Sequence, residues 1–192
     1  MAIIAMVSIL LLALPASVAV AQDESPTPDH AATLAKSAFA GSFPAGLGGE
    51  PWNELTVMTG EASFEESSEE DRVEFDAILQ ELDATVDQVT VLNAQQFNED
   101  FSEYAFASVL RVDDVDSSRL LELFLPEFAN NLEEPATEAG QVSGKDVTIM
   151  YDAAAEAFFG VAQPFHFYAI GDTLYIVSAP KSKLAELFDV LP

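Results

Sequence analysis

The sequence predicts an α+β fold, an antiparallel sheet with about three helices on one face. Three observations predict it. Short runs rich in Val, Thr and aromatic residues alternate with period two, as half-buried strands do. Three longer segments place apolar residues at i, i+3, i+4 and i+7, as amphipathic helices do. Two stretches, about 87–132 and 145–192, also resemble one another as degenerate strand-strand-helix repeats. Each apolar stripe has to be buried against something, so the helices are expected to share one face of the sheet. The other face is expected either to meet water or a partner or to lie under loops.

The chain opens with an export signal. Ala2 to Leu14 are apolar except for Ser8, and Pro15 interrupts the run. Ala19-Val20-Ala21 then puts small residues where signal peptidase requires them, before Gln22. Residues 1–21 therefore read as a cleaved signal peptide, and the expected location is secreted or periplasmic. The usual positive n-region is missing, and Ala2 to Ala21 just suffices to span a bilayer. An N-terminal membrane anchor is thus the minority reading. Residues 22–45 read as a flexible tether with a short helix over His30 to Phe39, capped by Asp29. Residues 46–192 read as a single α+β domain with an internal duplication.

Within that domain, Trp52 to Thr59 alternates as a strand. Ser67 and Glu70 have capping-box spacing and start a helix whose stripe is Phe75, Ile78, Leu79 and Leu82. Val86 to Asn93 and Tyr104 to Val112 read as strands. Asp116 caps a second helix, with Leu121, Phe124, Leu125, Phe128 and Leu132 as its stripe and Pro126 expected to kink or split it. Glu133 to Gly144 reads as a polar loop and Lys145 to Tyr151 as a strand. Phe165 to Ser178 reads as a hairpin turning at Gly171-Asp172, with Ile170 opposite Thr173 and Tyr168 opposite Tyr175. Pro180 leads into a last helix striped by Leu184, Leu187, Phe188 and Leu191. The repeat is clearest at an offset of 64, where Tyr104 to Phe124 matches Tyr168 to Phe188, including Leu110/Leu174 and Phe124/Phe188.

Charge and composition narrow the functions. The chain holds 33 acidic and 7 basic residues, a formal charge of −26, and none of the charged residues falls in residues 1–21. Such a field repels nucleic acid and anionic lipid and favours a cationic partner, and it also serves solubility. Fourteen Phe residues argue for a packed core rather than an acidic disordered tail. Cysteine is absent, which removes disulfides, thiol nucleophiles and thiolate metal sites. The domain is large enough to stand without staples and is expected to be a monomer with no stable membrane association once the signal is removed.

Catalytic patterns are lacking. The two histidines, His30 and His166, lie far apart in the sequence, and no nucleophile elbow, P-loop, dinucleotide fingerprint or zincin helix occurs. No cofactor is expected. Asp113, Asp114 and Asp116 form a weak metal candidate that a capped helix start explains more simply, and the cluster Glu65, Glu66, Glu69, Glu70 and Asp71 reads as a solvated face that could hold cations only loosely. The binding-face candidates are His166, Tyr168 and Tyr175 on one face of the hairpin, and Phe158-Phe159 in an unusually apolar connection. The leading expectation is a secreted, acidic, non-catalytic binding or interaction domain. A carrier of an apolar small molecule or lipid is the alternative, and a carboxylate-based hydrolase is the least favoured.

Overall fold

The computed structural model describes residues 43–99, 103–153 and 163–192. The expected signal peptide and most of the expected tether, including the expected helix over His30 to Phe39, lie outside the described residues. The fold is α+β. Seven antiparallel strands form one sheet, and a hairpin of two residues per strand stands apart from it. Among the described residues no helix is long and apolar enough to cross a membrane.

The small hairpin comes first. Gly46–Leu47 (β1) pairs with Glu50–Pro51 (β2) around Gly48 and Gly49, both at positive φ. Only residues that tolerate the left-handed region make so tight a turn. Glu54–Thr59 (β3) follows as the first strand of the large sheet. Two helices come next. Gly60–Glu66 (α1) is capped by the Thr59 hydroxyl, and Glu69–Glu81 (α2) by the Ser68 hydroxyl, which accepts from the Asp71 amide at 3.2 Å. The expected cap, Ser67, instead ends α1 and bonds back to the Ser63 carbonyl at 2.7 Å. Adjacent serines thus split one acidic stretch into two helices.

A 3₁₀ turn over Val86–Gln88 leads into Val89–Phe97 (β4), which pairs with β3 on one side and with Tyr104–Val112 (β5) on the other. Asp116 caps Ser117–Ala129 (α3), its carboxylate accepting from the Ser118 amide at 2.8 Å. Pro126 does not split α3. It sits close to the C-terminal end, where it removes only one late hydrogen bond. The expected loop over Glu133 to Gly144 is in fact a strand, Pro135–Val142 (β6), hairpinned through Ser143-Gly144 to Lys145–Asp152 (β7). Phe165–Ile170 (β8) and Thr173–Ser178 (β9) form the expected hairpin in the expected register, with Gly171 at φ +63°. Lys181–Val190 (α4) closes the chain. Across the large sheet the strands run in the order β3-β4-β5-β9-β8-β7-β6.

Strand parity sorts the core into two layers. One face of the sheet presents Val89, Val91, Phe106, Leu110, Phe167, Leu174 and Ile176 to α1, α2 and α3. Phe128 of α3 is the hub, with ring centroids 4.9 Å from Phe165 and 5.0 Å from Phe167, both edge to face. The other face presents Leu92, Ala107, Val109, Tyr168, Tyr175 and Val177 to α4 and to the segment around Trp52. Three helices do share one face, but the third is the short α1. The C-terminal helix, expected among them, lies on the opposite face. A helical stripe fixes which side of a helix is buried, not which side of a sheet receives it.

The segments matched at offset 64 take different forms. Residues 104–112 are one continuous strand, whereas the Gly171-Asp172 turn breaks 168–178 into a hairpin. Matched Leu110 and Leu174 stand directly opposite each other where β5 pairs with β9. Matched Phe124 and Phe188 are buried on opposite faces.

Candidate functional site

The face carrying His166, Tyr168 and Tyr175 is closed. Alternation along β8 and β9 aims all three side chains at α4, and they are 3%, 3% and 6% exposed. Tyr168 and Tyr175 stack at 4.6 Å with rings 6° apart, as their register dictates, and Phe188 of α4 lies 5.1 Å from Tyr168 and 5.9 Å from His166. The aromatic bodies are therefore packing. His166 Nδ1 lies 3.3 Å from the Val177 carbonyl, and burial holds its pKa below the usual histidine value, partly offset by hydrogen bonds to the Val177 and Pro164 carbonyls. Burial likewise pushes the Tyr168 phenol well above its ordinary range, with Tyr175 beside it adding to the shift. Among the described residues the buried Tyr168 hydroxyl has no hydrogen-bond partner. A partner could reach this trio only by displacing α4.

Polar ties hold α4 in place. Lys145, at the start of β7, donates to the Phe188 carbonyl and, at 3.1 Å, to the Leu191 carbonyl. It supplies a cation at the helix C-terminus, where carbonyls lack partners. Gln96 Nε2 donates to the Leu47 and Glu50 carbonyls at 2.9 and 3.2 Å, while its Oε1 accepts from Lys183 of α4 at 3.1 Å. The small hairpin, the sheet and α4 are thus joined through one amide.

The aspartate cluster is absorbed by the turn between β5 and α3. Asp113 pairs with Arg111 at 2.8 Å, Asp116 caps α3, and Asp114 holds the positive-φ turn position. Arg111 also meets Asp172 of the β8–β9 turn at 2.9 Å. Among the described residues no group of three or more His, Asp or Glu side chains is placed to hold a metal ion. Phe158 and Phe159 lie outside the described residues.

Two features escape sequence reasoning. The first is a shallow groove where α2 meets α3. Ala77, Ile78 and Leu123 form its floor, and Glu74, Glu81 and Glu127 rim it. Helical spacing brings Glu74, Ile78 and Glu81 to one side of α2, and Leu123 with Glu127 to one side of α3. Residues 78 and 123 line one groove only because both helices lie on the same sheet face, so no local pattern announces it. The second is the outer edge of β6, in a segment whose Pro and Gly content reads as a loop.

Comparison with known proteins finds no family model, no curated protein and no solved structure that matches this chain.

Proposed function

We propose that the chain is a secreted, acidic, non-catalytic binding domain for a cationic partner, and that the groove between α2 and α3 is where the partner docks. One observation carries this reading. Three carboxylates surround an apolar floor open to solvent on a chain of formal charge −26. Apolar contact on the floor supplies affinity, while the rim and the overall field attract a basic, amphipathic segment and raise its association rate. The His166 face is not the docking surface in this reading, since its side chains are engaged in packing beneath α4.

The test is a titration with a synthetic amphipathic peptide of Leu and Lys at helical spacing, at about 10 mM and about 150 mM ionic strength. A variant combining Leu123→Ser, Glu81→Gln and Glu127→Gln is compared with a control, Glu50→Gln with Asp189→Asn, that lowers charge elsewhere. Affinity is expected to fall about tenfold in the groove variant, since losing one buried leucine contact alone accounts for that much. The control should change it little. Equal loss in both variants would mean only diffuse charge attraction and would overturn the groove. Absence of binding at either salt concentration would overturn the cationic partner.

A further inference from the structure

The second feature is independent of the groove. We infer that β6 is an acceptor edge, taking an extended, cation-bearing segment of another protein as an eighth strand of the sheet.

The backbone carries the argument. β6 is eight residues long and, among the described residues, ends the sheet and pairs only with β7. The β6–β7 turn places Ser143 at φ +48° and Gly144 at φ +78°, so it is a two-residue primed turn. In such a hairpin the flanking pair, Val142 and Lys145, is hydrogen-bonded, and bonded pairs then alternate with non-bonded ones. Ala136, Glu138, Gly140 and Val142 therefore bond inward to β7. Thr137, Ala139 and Gln141 turn their N–H and C=O groups outward. The ladder keeps this phase beyond the strand, where the Ala153 amide donates to the Glu134 carbonyl at 2.8 Å. Pro135 falls on the outward phase, where its missing N–H breaks nothing. Among the described residues no backbone group outside β6 bonds to the amides of Thr137, Ala139 or Gln141.

Among the described residues the edge is also only lightly guarded. Every β6 residue is exposed or half-exposed, and only Val142, at the turn end, packs against the core under α4. Folded proteins blunt such edges with charged side chains, Pro, bulges or a covering element, and of these β6 has Pro135 at its first residue and the single charge of Glu138. β6 has no Lys or Arg, and its register with β7 runs unbroken from Pro135 to Val142. The entry to the strand is held in place, because the Asp152 carboxylate accepts from the Glu133 and Glu134 amides, both at 3.0 Å. A preformed, straight row of donors and acceptors is what strand addition requires.

Charge selects the occupant. Glu138 is the one charged residue in β6, and Glu134 lies four residues before it, on the same face by the period of two. A second copy is disfavoured, since antiparallel self-pairing about Glu138 sets like charges together on two chains of −26 each. A segment with cations four residues apart places one opposite each glutamate.

The test uses a nine-residue peptide, Lys-Thr-Val-Thr-Lys-Thr-Val-Thr-Lys with blocked ends, added to the purified protein. Amide hydrogen exchange is followed by NMR. The amides of Thr137, Ala139 and Gln141 are expected to slow about fivefold to tenfold, the worth of one added hydrogen bond. Those of Glu138 and Gly140 should change less. Ala139→Pro deletes an outward amide while sparing the β7 ladder, and it should abolish the protection with the melting temperature unchanged. If Ala139→Pro unfolds the domain, Glu138→Lys serves instead and should weaken binding at least as strongly. Three results would overturn the inference: no slowing at millimolar peptide, protection mapping to α2 and α3 rather than β6, or dimerisation of the free protein through β6.

Discussion

The two faces of the sheet solve the same burial problem with different materials. The α1–α3 face is sealed mainly by apolar contact, centred on the Phe cluster around Phe128, with a small buried polar patch of Asn93, Gln95 and Ser108 toward one end of the strands. The α4 face combines a stacked tyrosine pair, a buried histidine and a single ten-residue helix held by Lys145 and Gln96. The first kind of interface depends mostly on shape and area, so cavity formation damages it most. The second depends on a few polar atoms and therefore responds to charge and pH. Stability is thus expected to be lost through different chemistry on each side.

The largest effect belongs to the apolar face. Phe128→Ala removes the ring that Phe124, Phe165 and Phe167 pack against and leaves a cavity at the α3–sheet interface. It is expected to cost about 3–5 kcal/mol in urea unfolding, independent of pH between neutral and mildly acidic conditions. A loss under about 1 kcal/mol would show that the cluster is loosely packed.

Next comes Lys145→Met, which keeps most of the stem but removes the ammonium from the end of α4. Two charge-assisted bonds to the Phe188 and Leu191 carbonyls go with it. The expected cost is about 1.5–3 kcal/mol, with exchange of the α4 amides accelerating more than that of α3. Equal acceleration in both helices would mean that the two faces unfold as one unit and that the contrast between them has no energetic content.

How much of this is legible in the sequence follows from the same contrast. The β8–β9 hairpin is readable to the residue, because Gly171-Asp172 specifies a turn and alternation specifies which side chains share a face. The cap at Asp116 is readable for a similar reason, since one side chain and one amide suffice to define it. α4's side of the sheet is not, because its stripe is equally satisfied by either face. β6 is not, because a strand with neither face buried has no hydrophobic alternation, and Pro135 and Gly140 then dominate the reading. The groove is not, because it joins positions 78 and 123 through the tertiary fold alone.

Acid should act on the α4 face through His166. Burial holds its folded pKa below the ordinary 6.5 of the unfolded chain. Between those two values the unfolded state binds the extra proton, so stability is complete above pH 6.5, declines as pH falls through that window and levels off below it. In His166→Gln the decline should shrink relative to the parent. An unchanged acid limb would assign the loss to surface carboxylates instead.

The smallest effect at neutral pH, and the sharpest test of the comparison, is Tyr168→Phe. The Tyr168 hydroxyl is buried with no hydrogen-bond partner among the described residues, so its removal keeps the stack on Tyr175 and relieves a desolvated polar group. The variant is expected to be neutral or to gain up to about 1 kcal/mol at pH 7. Its effect should grow with pH. Burial raises the Tyr168 pKa above the 10.0 of the unfolded chain, so the parent's stability is complete below pH 10 and falls as pH rises beyond it, when the unfolded state ionises and the folded state does not. The substituted ring has no proton to lose, and the alkaline limb of the variant should flatten accordingly. Tyr104, on the opposite face, is also shifted upward, by burial and then by nearby Glu54, but its hydroxyl donates to Gln95 Oε1 at 3.1 Å. Tyr104→Phe breaks that bond and leaves a buried acceptor, so it should destabilise at pH 7 where Tyr168→Phe does not. Melting curves of the two variants at neutral and alkaline pH decide the matter. If both lose stability equally at pH 7, the Tyr168 hydroxyl has a partner after all, and the α4 face is better satisfied than its hydrogen bonds imply.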